Sequence, residues 1–125
     1  MVMDRAHAER FAAEWVASWN RRDVEAVLSH YADDAVFISP KAQGIAGTSR
    51  LSGKEPLRRY WTAALERIPS LTFTLDRVLW DPAASELAIC YEADLNGAKS
   101  RAVEIVRFGP SGLLVQGEAL YGAAL

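Results

Sequence analysis

The chain has 125 residues, half of them hydrophobic and 24% charged, which are the proportions of one globular domain spanning 1–125. With 14 basic and 16 acidic residues the net charge is −2, and no basic run provides a surface for nucleic acid or an anionic membrane. The longest apolar run has five residues, far below the roughly 20 that span a bilayer, so these numbers exclude a membrane span.

Helical periodicity dominates the first 68 residues. A first helix is predicted by an apolar stripe that ends at Trp19, with Asn20 in the left-handed stop position and Asp23 as the cap of a second helix. The second helix is predicted to carry its apolar face as far as Tyr31. A short strand then covers Ala35, Val36, Phe37 and Ile38. A third helix is predicted to open with a capping box at Ser52–Glu55 and to end at Pro69; its apolar stripe is Leu57, Tyr60, Trp61, Ala64, Leu65 and Ile68.

After Pro69 the hydrophobic period changes to two, which predicts strands. Four strands follow one another through short turns, and Asn96-Gly97 is a strong signal for a tight hairpin. Because parallel pairing would need long crossovers, the four strands are predicted to form an antiparallel meander. Their predicted ranges are 71–80, 86–95, 100–108 and 113–121. The fold class is therefore α+β, with three helices on one face of a curved sheet.

Residues that commonly carry chemistry are few. His7 is expected in solvent and His30 at a helix end, and their separation makes a zinc site improbable, so neither a metal nor a cofactor is predicted. Cys90 is expected to be a buried, inert thiol; a single cysteine forms no internal disulfide, which favours a reducing, cytoplasmic location. Asp33 and Asp34 are expected to serve a turn or a helix cap.

Glu104 is the candidate of greatest interest. Alternation along its strand places Glu104 on the same face as Phe108, and places Val103 and Ile105 on the other face. If Phe108 faces the helices, Glu104 lies inside an aromatic cavity; if Val103 and Ile105 face inward, Glu104 is an ordinary surface acid. Alternation alone leaves both arrangements open.

Several stretches resemble the nuclear transport factor 2-like superfamily, especially its SnoaL-like and ketosteroid isomerase branches. They are Trp15–Asn20 followed by Asp23, Tyr31–Phe37, Ser52–Lys54 with Tyr60-Trp61, and Ala119–Gly122. The resemblance implies a cone-shaped antiparallel sheet wrapped around three helices, with a cavity entered at the wide end. This fold hosts isomerases, cyclases, dehydratases, epoxide hydrolases and non-enzymatic modules, so it implies no single reaction.

The resemblance also implies roles for single residues. The oxyanion-donating tyrosine of ketosteroid isomerase corresponds to Trp15, its general-base aspartate to Ser39 before Pro40, and its protonated acid to Glu104. The base is thus absent, which predicts no useful ketosteroid isomerisation. Glu104 and Ser39 remain the candidate catalytic residues. The expected walls of the cavity are aromatic: Trp15, Trp19, Phe37, Tyr60, Trp61, Tyr91, Phe108 and Tyr121.

The function expected from these features is a SnoaL-like pocket protein that holds or transforms a small, mostly apolar ligand, of the isomerase, cyclase or lyase kind. The alternative is a non-catalytic ligand-binding or dimerisation module whose aromatic residues fill the cavity. An open cavity favours the first and a packed interior the second. Between the first strand and the third helix, 41–51 is either a lid or a mobile surface loop without secondary structure.

The outer face of the sheet is expected to form a homodimer. Four apolar side chains are predicted there among charged and polar ones: Val103, Ile105, Leu114 and Leu120. An apolar patch ringed by charges suits a two-fold, self-complementary contact.

Overall fold

A computed structural model describes residues 3–125 as helices packed against one six-stranded sheet. The helical elements are α1 (Arg5–Asn20), α2 (Val24–Leu28), a 3₁₀ turn (Pro40–Ala42), α3 (Gln43–Ala46) and α4 (Lys54–Glu66). The strands are β1 (Tyr31–Ile38), β2 (Arg50–Ser52), β3 (Leu71–Asp81), β4 (Glu86–Leu95), β5 (Ala98–Phe108) and β6 (Leu114–Ala124). The α+β class is confirmed. None of the helices in this described part is both long and apolar enough to cross a membrane.

The sheet has the order β2-β1-β6-β5-β4-β3. Strands β3 to β6 form the antiparallel meander that the sequence predicts. Asn96 and Gly97 both have positive φ angles, 55° and 88°, as a tight two-residue hairpin turn requires. The sheet is nevertheless mixed, because β1 runs parallel to β6. This pairing joins the N-terminal half of the chain to the meander.

The first helix ends differently from the prediction. Asn20 is the last residue of α1, and Arg22, with φ 59°, occupies the left-handed position. The Asn20 side chain accepts a hydrogen bond from the Phe73 backbone N–H at 2.7 Å, and its amide donates to the Phe73 carbonyl at 3.0 Å. Asn20 therefore fixes α1 to β3. Asp23 caps α2 as predicted, by accepting from the Ala26 N–H at 3.0 Å.

The region around β1 corrects two further predictions. Helix α2 ends at Leu28, and Tyr31 opens β1 instead of closing a helix. Asp33 and Asp34 lie exposed within β1, where the pairing with β6 shifts register, rather than in a turn or a helix cap. The strand is thus four residues longer than the apolar run suggests. Its polar part was misleading because two exposed carboxylates interrupt the hydrophobic pattern.

The predicted capping box at α4 is wrong. Ser52 is the last residue of β2, and the N-cap is Gly53, which contributes no side-chain hydrogen bond. Gly53 has φ 93°, a conformation that favours glycine and that turns the chain directly from β2 into the helix. Four members of the predicted stripe, Leu57, Tyr60, Trp61 and Leu65, are buried in α4. Ala64 is half-buried, and Ile68 lies beyond the helix, which ends at Glu66.

The segment 41–51 is not a structureless loop. It contains most of the 3₁₀ turn, the whole of α3 and the start of β2, which pairs with β1. Helix α3 ends at Gly47, whose left-handed φ of 78° forms its C-cap. The segment therefore folds as two short helical turns that lead into the edge strand β2.

One of the two register shifts between β5 and β6 corrects the predicted outer face. Phe108 pairs with Leu114 but Arg107 pairs with Gln116, so Val115 is an extra residue in β6. The bulge reverses the alternation, and Leu114 is fully buried in the core instead of lying on the outer face.

Candidate functional site

A cavity of about 220 Å³ lies between the C-terminal half of α1, α4 and the inner face of the sheet. Its walls are mainly aromatic and aliphatic. Tyr60 and Trp61 come from α4, Trp15 and Trp19 from α1, and Phe73 from β3. The interior is therefore open rather than filled by its own aromatic side chains.

Seven of the eight aromatic residues that the sequence nominates line this cavity. Those on the helices are Trp15, Trp19, Tyr60 and Trp61, and those on the strands are Phe37, Tyr91 and Tyr121. Their rings meet edge to face: the Trp61 ring centroid lies 5.1 Å from that of Trp19 and 5.3 Å from that of Phe37. Such contacts hold the rings in fixed orientations around the open space.

Phe108 does not belong to the site, which corrects its prediction. Its ring centroid lies 5.2 Å from that of Phe11 and 6.1 Å from that of Trp80, outside the cavity lining. Phe108 ends β5, next to the first half of α1, whereas the cavity faces the second half. Phe73 takes a place in the wall that the sequence left unassigned, stacked on Trp15 with centroids 5.6 Å apart. The alternation of β3 predicts which face of the sheet Phe73 occupies, but it does not predict which residues Phe73 contacts.

Glu104 points into the cavity, which resolves the two arrangements left open by alternation. Its residue is 3% exposed, and its neighbours on the same face, Ala102, Val106 and Phe108, are buried with it. No ion pair or hydrogen bond to the carboxyl group occurs within residues 3–125. Burial raises the pKa of Glu104 to about 8, and the nearby negative charge of Glu118 adds to the effect. The carboxyl group is therefore mostly protonated, and a hydrogen-bond donor, at pH 7.

Four tyrosines surround this carboxyl group. Burial raises the pKa of Tyr31, Tyr60, Tyr91 and Tyr121, and the charge of Glu104 raises each of them further. All four phenols are therefore neutral at physiological pH. The site consists of neutral hydroxyl groups around one protonated acid, in low-dielectric surroundings that favour hydrogen bonding over ionisation.

Gly117 on β6 creates the space beside Glu104. A Cβ atom at this position would lie 3.0 Å from the Tyr31 hydroxyl oxygen, 3.2 Å from the Phe37 ring and 3.5 Å from Glu104 Oε2. A side chain at this position would therefore press on Tyr31 and Phe37, while its Cβ would only touch Glu104. The sequence pattern gave no sign of this role, because it depends on how β1, β5 and β6 converge.

Ser39 is fully buried but does not itself line the cavity. The Ser39 hydroxyl lies close to the hydroxyls of Tyr60 and Tyr121, two residues that do line the cavity. Burial raises the pKa of both phenols, and the Ser39 hydroxyl lowers it in part. Ser39 Oγ forms no hydrogen bond of good geometry in the described part of the chain. The structure thus places Ser39 beside the tyrosines that separate it from the open space.

Trp15 lies in the wall, but its indole nitrogen is not presented as a donor. The Nε1 atom is buried and has no hydrogen-bond partner among the described residues. Its ring stacks on that of Phe73 and meets that of Tyr91 edge to face. Trp15 therefore contributes apolar surface in this conformation.

Two exposed cations that line the cavity, Lys41 and Arg67, were not anticipated, and the part of the lining that carries them is here called its mouth. Lys41 lies in the 3₁₀ turn, with its ammonium nitrogen 4.0 Å from the ring centroid of Tyr121. Arg67 is the C-cap of α4. Within the described residues no three His, Cys, Asp or Glu side chains cluster so as to hold a metal ion.

Residues 12–116 match the family model of the SnoaL-like domain. A SnoaL-like protein of unknown function from Burkholderia thailandensis E264 is 37% identical, with a TM-score of 0.87 over 98% of this chain and 100% of the other. No curated protein sequence shows a significant match.

More distant structures share the fold. The epoxide hydrolase/cyclase-like enzyme SalBIII, described in pyran ring formation in the polyether salinomycin, has 17% identity and a TM-score of 0.76 over 95% of this chain and 93% of the other. A candidate ketosteroid isomerase from Kribbella flavida DSM 17836 has 18% identity and a TM-score of 0.72, over 94% and 79%. At these identities the likeness concerns the fold alone.

Proposed function

The chain belongs to the SnoaL-like domain family, and from this premise we propose that it holds a small, mostly apolar ligand in its cavity, with Glu104 as a protonated hydrogen-bond donor. One observation carries the proposal. A carboxyl group that is 3% exposed and has no ion-pair partner within residues 3–125 faces an open, aromatic-lined space. A buried acid without a partner is costly to stability, and such groups concentrate at functional sites.

The size of the cavity limits the ligand. An engineered, purely apolar cavity of about 150 Å³ in another protein binds benzene, and the cavity here has about 220 Å³. One ring or a fused pair of rings is therefore the expected scale of the buried part. The aromatic walls supply its apolar contacts, and Glu104 supplies one directional hydrogen bond.

A protonated carboxyl group can donate to a carbonyl, ether or epoxide oxygen and so polarise the bond to that oxygen. An isomerase, cyclase or lyase acting on a small apolar compound could use Glu104 in this way. The cyclase-like function described for SalBIII is one chemistry of this kind. Ketosteroid isomerisation is not proposed, because Ser39, in place of the base, carries an unionised hydroxyl.

A second candidate function is ligand binding without turnover. Among the residues that line the cavity, within the described part of the chain, Glu104 is the only Asp, Glu or His. General acid–base chemistry commonly needs a second group to remove a proton. This lack of a second carboxylate or a histidine in the cavity favours a carrier or sensor that uses the same hydrogen bond for recognition.

The binding proposal is tested with two bicyclic probes of similar shape, 2-tetralone and tetralin, of which only the ketone accepts a hydrogen bond. At pH 6 we expect wild type to bind the ketone roughly fivefold more tightly, as befits one hydrogen bond of about 1 kcal/mol. Quenching of the fluorescence of the three cavity tryptophans, Trp15, Trp19 and Trp61, reports binding. The preference should disappear in Glu104→Leu and persist in the control Glu86→Leu, a half-buried acid outside the cavity.

The same preference should weaken above pH 8 in wild type, because an ionised Glu104 no longer donates. Equal affinities for the two probes at pH 6, or binding of neither, would contradict the proposal. Retention of the full preference in Glu104→Leu would show that another group, such as Tyr91, makes the hydrogen bond.

The proposal also includes a homodimer formed through the outer face of the sheet. Val103 and Ile105 are half-buried there and Leu120 is 44% exposed, with Arg101 and Arg107 exposed beside them. Burying this apolar strip against a second copy would remove it from water and leave the arginines at the rim.

A further inference from the structure

The charges around the cavity have a pattern that the apolar walls do not explain. Among the described residues that line the cavity, and apart from tyrosines, three can carry a charge: Lys41, Arg67 and Glu104. Because Glu104 is mostly protonated at pH 7, the cavity carries a net positive charge, although the whole chain carries −2. The two cations come from separate elements, the 3₁₀ turn and the end of α4.

Neither cation has an acidic partner among the described residues 3–125. Salt bridges within residues 3–125 engage Arg5, Arg21, Lys54, Arg58, Lys99 and Arg101, but neither Lys41 nor Arg67. The Lys41 ammonium instead lies over the ring of Tyr121. Partial burial lowers the pKa of Lys41, and no carboxylate offsets the loss of water.

The positions of these charges specify where a ligand charge would lie. Lys41 and Arg67 are the exposed charged members of the lining, whereas Glu104 is buried in its depth. An anionic group cannot enter the aromatic interior without losing its hydration. At the mouth, the anionic group can keep part of its hydration and form charge-assisted hydrogen bonds with Lys41 and Arg67.

We infer that the natural ligand is an amphipathic carboxylic acid, whose apolar body fills the cavity and whose carboxylate is held at the mouth by Lys41 and Arg67. The inference rests on the proposed function, because it names the ligand class of the same cavity. It adds a second polar contact to the one that Glu104 makes. The guanidinium of Arg67 suits a carboxylate, since its N–H groups can donate to both oxygens.

The test compares 2-naphthoate with 2-naphthamide, which have the same rings but differ in charge. At pH 7 and low salt we expect wild type to bind the naphthoate roughly tenfold more tightly, a preference that salt should reduce. Lys41→Met and Arg67→Met should each lower naphthoate affinity roughly fivefold and leave naphthamide affinity unchanged. Arg77→Met, which removes an exposed arginine outside the cavity, should leave both unchanged.

Equal affinities for naphthoate and naphthamide in wild type would overturn the inference. An equal loss of affinity for both probes in Lys41→Met and Arg67→Met would also overturn it, because these side chains would then contribute packing rather than charge. If 2-tetralone still shows its Glu104-dependent preference, only the carboxylate inference fails. If none of the four probes binds, the proposed function fails with it.

Discussion

Replacing Glu104 by glutamine should remove a pH dependence of stability that wild type possesses. Burial raises the pKa of Glu104 from 4.5 to about 8 in the folded protein. Between these pH values the folded state keeps a proton that the unfolded state has released. Stability contributed by this group is therefore complete below about pH 4.5 and is lost as the pH rises to about 8. Glutamine has a similar shape but does not ionise, so the variant should lack this loss.

The size of the effect follows from the two pKa values. Each pH unit between them corresponds to about 1.36 kcal/mol, so the full interval corresponds to at most about 5 kcal/mol. Between pH 5 and pH 8 we expect wild type to lose up to about 4 kcal/mol relative to Glu104→Gln. A small domain has only about 5–15 kcal/mol in total, so the effect should be large.

Other groups near Glu104 do not obscure the comparison. The facing phenols of Tyr31, Tyr60, Tyr91 and Tyr121 have raised pKa values and do not titrate between pH 5 and 8. The remaining charged neighbours are Glu118 on β6 and Lys41 at the mouth. Burial lowers the pKa of His30, but His30 is present in both proteins and its contribution cancels in the difference.

The assay is urea unfolding, followed by tryptophan fluorescence, at each pH unit from 5 to 9. The two proteins should have similar unfolding free energies at pH 5, and Glu104→Gln should be the more stable at pH 9. The control Glu86→Gln, which removes a half-buried acid on the adjacent strand β4, should keep the wild-type profile. Parallel curves for wild type and Glu104→Gln would refute a buried, protonated Glu104.

Three further predictions concern other parts of the molecule. Gly117→Ala should cost about 1–3 kcal/mol by crowding Tyr31, a small-to-large change in a packed interior, whereas Gly44→Ala, with nothing within 4 Å, should cost little; urea unfolding measures both. Ile105→Asp should convert a dimer to a folded monomer in light scattering, and a wild-type monomer at tens of micromolar would contradict the dimer. In an isomerase assay with a β,γ-unsaturated ketosteroid, wild type should be inactive, and Ser39→Asp should stay inactive because Tyr60 and Tyr121 separate position 39 from the cavity; wild-type turnover typical of an enzyme would reveal another base.

The sequence predicts those elements whose hydrophobic period is regular. Helices α1 and α4 and strands β3 to β6 each bury one side, so the spacing of their hydrophobic residues shows which side faces the core. Predictions failed at Tyr31 and Leu114, where long-range pairing overrides the local pattern. Tyr31 begins a strand because β6 lies beside it, and the bulge at Val115 turns Leu114 inward.

The same distinction applies to the site. Trp19, Trp61 and Tyr91 could be nominated because aromatic residues on core-facing stripes must meet under the sheet. Lys41 and Gly117 could not, since the roles of both depend on three-dimensional approach. Lys41 reaches the mouth only because 40–46 folds into short helical turns, and Gly117 matters only because three strands bring other side chains towards it.

The inward orientation of Glu104 links the fold to the chemistry. Glu104 pairs across the sheet with Ala119, a small residue that also lines the cavity, and Gly117 leaves space beside its carboxyl group. Neither neighbour supplies a charge or a hydrogen-bonding side chain. Since a buried acid in such surroundings destabilises the folded state above its ordinary pKa, stability alone would favour an apolar residue at 104. The cost is explicable if the ligand offers an oxygen for the protonated acid to bind, and this makes Glu104, rather than Ser39, the centre of the site.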